Sequence, residues 1–178
     1  MVYQQGFVPQ NPHAFQLFSG VDANRSGTID ARELQVALSS GGNSVFSFKT
    51  VKILMRMFDM DGSGALAYRE FEAMIGQVNA WRAWFNQADG DRSGKLSPPE
   101  LSRCLQAFGF HFPQATYMSI FNAVDIDSSG NIGFDEFVQV LAEVNALTTN
   151  FRRQDPQSTG RATMDYAMFI TLTFQTRS

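Results

Sequence analysis

The chain has 178 residues, with 14 Lys and Arg against 17 Asp and Glu and a net charge of −3. That near-balance excludes a nucleic-acid binder driven by bulk positive charge. At 44% hydrophobic and 17% charged, the composition excludes a disordered chain and suits one compact domain or two small halves.

The acids are unevenly placed. Fifteen of the 17 fall in five twelve-residue windows, at 22–33, 59–70, 89–100, 125–136 and 155–166; only Glu72 and Glu143 lie outside. Each window opens with Asp and has Gly at its sixth position, and the starts are separated by 37, 30, 36 and 30 residues. The alternation predicts two kinds of connection.

Residues 1–12 read as a short flexible tail without the basic and apolar regions of a signal peptide, and 13–178 as the folded domain. The first window, D-A-N-R-S-G-T-I-D-A-R-E, matches the twelve-residue EF-hand loop. Calcium is a hard cation that takes six to eight oxygens. Asp22, Asn24 and Ser26 offer side-chain oxygens, Thr28 a backbone carbonyl, Asp30 an oxygen acting through water, and Glu33 two oxygens at once. After this window, Ser39-Ser-Gly-Gly-Asn-Ser44 breaks the chain between two helices.

The second window offers Asp59, Asp61, Ser63, the Ala65 carbonyl and Glu70. From there Phe71, Met74, Ile75, Val78, Trp81, Phe85 and Ala88 recur at three- and four-residue steps, predicting one continuous helix of about 20 residues into the third window. That window offers Asp89, Asp91, Ser93, the Lys95 carbonyl and Glu100. A polar residue at position 9, Asp30 or Ser97, favours the first and third loops. Cys104, at helical spacing with Leu101, Leu105 and Phe108, reads as a buried structural thiol, and a lone cysteine suits a reducing compartment.

Gly109-Phe-His-Phe-Pro113 makes the next break. The fourth window offers Asp125, Asp127, Ser129, Asn131 and Glu136. Phe137, Val140, Leu141, Val144, Leu147 and Phe151 then predict a second shared helix. The fifth window has Tyr166 where the bidentate Glu should stand; magnesium or no ion suits it better than calcium. The fold expected is all-α: five EF-hands on about eight helices, with short β contacts pairing Ile29 with Leu66 and Leu96 with Ile132. Ala162, at position 8 of the fifth loop, is left without a partner in the chain. With Tyr166, Phe169, Ile170, Leu172 and Phe174 on the helix behind it, it predicts a dimer interface.

Five hands at these spacings, the last one degenerate, resemble the penta-EF-hand family over about residues 13 to 178. The complete first loop, Trp81-x-x-x-Phe85-x-x-x-Asp89 and Ala107-Phe108-Gly109-Phe110 are similar to the subgroup of peflin and the apoptosis-linked calcium adaptor (programmed cell death protein six). The resemblance implies a calcium-dependent adaptor that forms a homodimer or heterodimer through its fifth hand and binds proline-rich segments. Trp81, Trp84, Phe85, Phe108, Phe110 and Phe112 are the aromatic candidates for that groove. Four bound calcium ions add eight positive charges and turn −3 into +5, which favours membrane recruitment in the loaded state. A cytoplasmic location is expected, with no nucleic-acid partner. No nucleophile–base set or cofactor motif points to an enzyme. A calpain-type regulatory subunit and a simple calcium buffer are the alternatives.

Overall fold

The computed structural model describes residues 11–40, 45–125 and 127–175. Ten residues of the expected tail and part of the 39–44 break therefore lie outside the described residues. Eight helices are found among those described: α1 (Pro12–Val21), α2 (Ala31–Ser40), α3 (Phe48–Phe58), α4 (Tyr68–Ala88), α5 (Pro98–Ala107), α6 (Gln114–Val124), α7 (Phe134–Gln154) and α8 (Tyr166–Gln175). The fold is all-α, and its small sheet consists of β1 (Thr28–Ile29) and β2 (Leu66–Ala67). The two expected shared helices are α4 and α7, each 21 residues long.

Local chemistry sets the ends. Asn11 opens α1 by accepting from the backbone N–H groups of His13 and Ala14, both at 3.1 Å, and Ser47 opens α3 by accepting from Thr50. Pro113 precedes the first turn of α6, its carbonyl accepting from the Thr116 N–H at 2.9 Å. The interior face of α4 follows the expected spacing, with Phe71, Met74, Val78, Trp81 and Phe85 buried.

The loops pair as their position-8 residues predict. Ile29 lies opposite Leu66 in an antiparallel register, and Leu96 and Ile132 exchange two backbone hydrogen bonds of 2.8 Å. All four side chains are fully buried, so each pair of loops is pinned to the core at its centre. The two pairs share that core. Phe85 meets Phe134 and Phe137 edge-on at 5.4 Å, and Phe46, between α2 and α3, reaches Phe134 at 5.8 Å. The Arg82 guanidinium lies over the Phe134 ring, 3.4 Å from its centroid, and burial lowers its pKa.

The two acids outside the windows have structural contacts. Glu72 accepts from the Tyr68 hydroxyl at 2.9 Å, and Glu143 pairs with Lys49 at 3.5 Å. Among the described residues, no helix is long and apolar enough to cross a membrane.

Candidate calcium-binding loops

Each complete loop is closed by its opening aspartate. One carboxylate oxygen of Asp22, Asp59, Asp89 and Asp125 accepts from the position-5 N–H and the other from the position-6 N–H, at 2.9–3.0 Å. The position-3 side chain accepts from the same position-5 N–H: Asn24 at 2.8 Å, Asp61 at 2.9 Å, and Asp91 and Asp127 at 3.0 Å. The position-5 hydroxyl of Ser26, Ser63, Ser93 and Ser129 donates to the position-7 carbonyl of Thr28, Ala65, Lys95 and Asn131. Side chains at 1, 3 and 5 and a carbonyl at 7 are thereby gathered on the inside of one turn.

That turn needs two left-handed residues. Gly at position 6 has φ between +74° and +82° in the four loops, the region glycine enters at least cost. Position 4 is also left-handed, in Arg25, Gly62, Arg92 and Ser128, with φ from +52° to +70°. This second position is not legible in the sequence, because only Gly62 carries the residue type that signals it.

The position-12 glutamate closes the loop from the other end. Glu33, Glu70 and Glu100 each accept from the N–H of position 2 and the N–H of position 9, at 2.8–3.0 Å. Glu136 accepts from Gly133 at 2.8 Å. These bonds start the exiting helix at position 10 while aiming the carboxylate at the loop. Carboxylate oxygens of Asp59, Asp61 and Glu70 lie within 4.8 Å of one another, as do those of Asp89, Asp91 and Glu100, and those of Asp125, Asp127 and Glu136. Oxygens at about 2.3–2.6 Å from one calcium ion span no more than about 5 Å, so the three clusters fit that cation. The first loop has Asn24 in place of the third carboxylate.

Of the four complete loops, only the first and third carry a side-chain oxygen at position 9; Ala67 and Gly133 stand there in the second and fourth. Asp30 accepts from Arg32 and Glu33 at 2.7 and 2.9 Å, capping α2, and the Ser97 hydroxyl donates to Glu100 at 2.7 Å. The Asp30 carboxylate caps its helix, whereas the Ser97 hydroxyl bonds the closing carboxylate of its own loop.

The electrostatics differ between clusters. Hydrogen bonds from Ser63 and Ser93 hold the Asp61 and Asp91 carboxyls below the usual range, and Ser129 does the same for Asp127, with a smaller contribution from Lys95. Hydrogen bonds from Ser97 lower Glu100. Glu136 is pushed up, by desolvation first and then by Asp127, Asp125 and Asp135. Cys104 is buried, and desolvation raises its thiol to about 11.

The fifth loop keeps the turn without the closing glutamate. Asp155 accepts from Thr159 and Gly160 at 2.9 and 2.7 Å, and Ser158 and Gly160 are left-handed. With no carboxylate at position 12, Asp165 caps the exiting helix through the Met168 N–H at 2.8 Å, and α8 begins at position 12 instead of 10. Tyr166 is 78% exposed and Phe169 54%, Ile170, Leu172 and Ala162 are half-buried, and the Phe174 side chain lies outside the described residues.

The aromatic candidates divide. Trp81, Phe108 and Phe110 line a cavity of about 400 Å³ together with Met57, Phe58, Gln77, Leu141 and Asn145. Exposed Trp84 lies tilted against Phe108 with ring centroids 5.1 Å apart, and Phe112 packs between Phe110 and Tyr117. Phe85 faces away, into the ring cluster around Phe134.

Four paired loops of this geometry define a protein of the EF-hand class, and a model of the EF-hand domain pair matches residues 12–76 and again 79–142. Peflin of Danio rerio is 34% identical over 161 residues, covering 90% of this chain and 60% of peflin. Sorcin of Mus musculus is 36% identical over 152 residues, covering 83% of this chain and 76% of sorcin. A solved homolog of programmed cell death 6 protein from Leishmania major Friedlin has a TM-score of 0.78 at 27% identity, over 92% of this chain and 93% of that one. The chain belongs to the penta-EF-hand family of calcium-binding proteins. It spans about 60% of the length of the peflin it matches.

Proposed function

We propose that this chain is a calcium-regulated adaptor. Calcium is the signal. It is held in the four complete loops by the side chains at positions 1, 3, 5 and 12 and the carbonyl at 7, supported by the three carboxylate clusters. The fifth hand, lacking the bidentate glutamate, serves assembly with a second fifth hand, either in a copy of this chain or in a relative. The observation that carries the adaptor reading is the cavity of about 400 Å³ lined by Trp81, Phe108 and Phe110. Gly109, between the two phenylalanines, has φ +87°, so the α5–α6 connection turns on a residue with little steric restraint. Motion of α5 on loading of the third loop reaches this connection directly and widens the cavity for an extended proline-rich segment. The change from −3 toward +5 supports recruitment to anionic membrane surfaces in the same state.

The test is fluorescence anisotropy of a labelled proline-rich peptide with and without calcium. Phe108→Ala should weaken calcium-dependent binding at least tenfold, about 1.4 kcal/mol, and leave the calcium titration nearly unchanged. Equal peptide affinity in the variant and the native chain would refute the pocket; binding that ignores calcium would refute the sensor role.

A further inference from the structure

The Leu96–Ile132 bridge holds the third and fourth loops side by side, and Lys95 stands immediately before it. This residue faces both loops. Its carbonyl, at position 7 of the third loop, accepts from the Ser93 hydroxyl at 3.0 Å. Its side chain runs the other way: Nζ donates to Oγ of Ser129, position 5 of the fourth loop, at 3.5 Å. Ser129 Oγ is one of the oxygens gathered on the inside of that loop, where it also donates to the Asn131 carbonyl at 2.8 Å. The reverse contact is not made, since the Asn131 amide turns back to the Ser129 carbonyl of its own loop. Position 7 of the other pair is Thr28 and Ala65, neither of which carries a charge.

We propose that Lys95 sets the calcium affinity of the fourth loop, acting as a tethered internal cation on Ser129 that must be displaced, or tolerated at short range, when that loop loads. The inference rests on the ligand assignment proposed above for the fourth loop. An ammonium group and a dication drawn to the same oxygen repel one another, and the lysine cannot diffuse away because its backbone is pinned by the bridge. The effect makes the fourth loop the weaker partner of the third. It is also sensitive to salt, because the contact is exposed and screening acts over about 8–10 Å. Lys95 is therefore a positioning and affinity-setting residue for the fourth loop as well as a backbone ligand of the third.

The experiment is a chelator-competition calcium titration of the full chain, of Lys95→Met and of Lys95→Arg, each with and without Glu136→Gln, at low and high KCl. Lys95→Met should tighten one site about threefold at low salt, with the gain shrinking at high salt; Lys95→Arg should titrate like the native chain. In the Glu136→Gln background, where the fourth loop is disabled, the gain should vanish. Unchanged constants in Lys95→Met overturn the proposal, as does a gain that persists in the Glu136→Gln background, which would place the effect on the third loop. If Glu136→Gln alone removes no calcium site, the ligand assignment fails first and the inference falls with it. Lys95 is exposed and packs no core, so both substitutions leave the folded chain available for titration.

Discussion

Glu100 and Glu136 occupy the same loop position in neighbouring hands, yet their surroundings act on them in opposite directions. Glu100 is lowered by the Ser97 hydroxyl and N–H, so its contribution to stability is present above the ordinary glutamate range and is lost as pH falls through its lowered pKa. Glu136 is raised by burial and three aspartates; its favourable protonated form is present below that range and is lost as pH rises through its raised pKa. In calcium-free buffer near neutral pH, Glu100→Gln should lower the Tm and Glu136→Gln should raise it. Both differences should close in acid, below the glutamate range. Thermal scans in a chelating buffer across that range check the sign. The closing glutamate was legible in the sequence, whereas the sign of its ionisation cost depends on neighbours that only the folded loop supplies.

At the scale of elements, the long helices illustrate what periodicity carries. The apolar steps from Phe71 to Ala88 predicted α4 without a break, although Gly76 sits inside it. Gly76 is exposed, and a Cβ built there meets nothing within 4 Å. Its cost is therefore the entropy of an unconstrained helical glycine, and Gly76→Ala should stabilise the chain by about 0.8–1 kcal/mol, raising the Tm by roughly 2–4 °C. Calorimetry of the variant decides it, and a loss of stability would show that α4 needs a soft point between its two hands. The same periodicity misleads at the end of α7. Leu147 and Phe151 continue the apolar stripe of Phe137, Val140, Leu141 and Val144, but they are 50% and 37% exposed because the core ends before them.

At the scale of the whole molecule, those two residues lie on the same end of the chain as exposed Tyr166 and Phe169. The described side chains of α8 are exposed or half-buried, with Tyr166 and Phe169 the most open, which leaves one face of an apolar helix in solvent. A second fifth hand covers that helix in the proposed dimer. Removal of residues 151–178 should leave a particle with the mass of a single shortened chain, and Phe169→Glu should halve the sedimenting mass of the full chain while leaving the four complete loops in place. A native chain that sediments as a monomer at micromolar concentration, or a Phe169→Glu variant that remains dimeric, would refute this interface.

The sequence by itself determined the five loops, the eight helices, the two shared helices and the pairing of Ile29 with Leu66 and of Leu96 with Ile132. All of these follow from local chemistry: oxygen donors at fixed spacing, glycine where the turn is left-handed, and apolar residues at helical steps. Tertiary structure alone decided which side chains face one another across those elements. It turned Asp30 toward a helix start and the Ser97 hydroxyl onto Glu100, and put Phe85 into the core while Trp81 and Phe108 line a cavity. It also brought the Lys95 ammonium onto Ser129, 34 residues away in the chain. The reason is that a loop motif specifies its own backbone and its position-8 pairing, whereas side-chain contacts beyond that pairing depend on how the pinned pairs and the shared helices pack around Phe134.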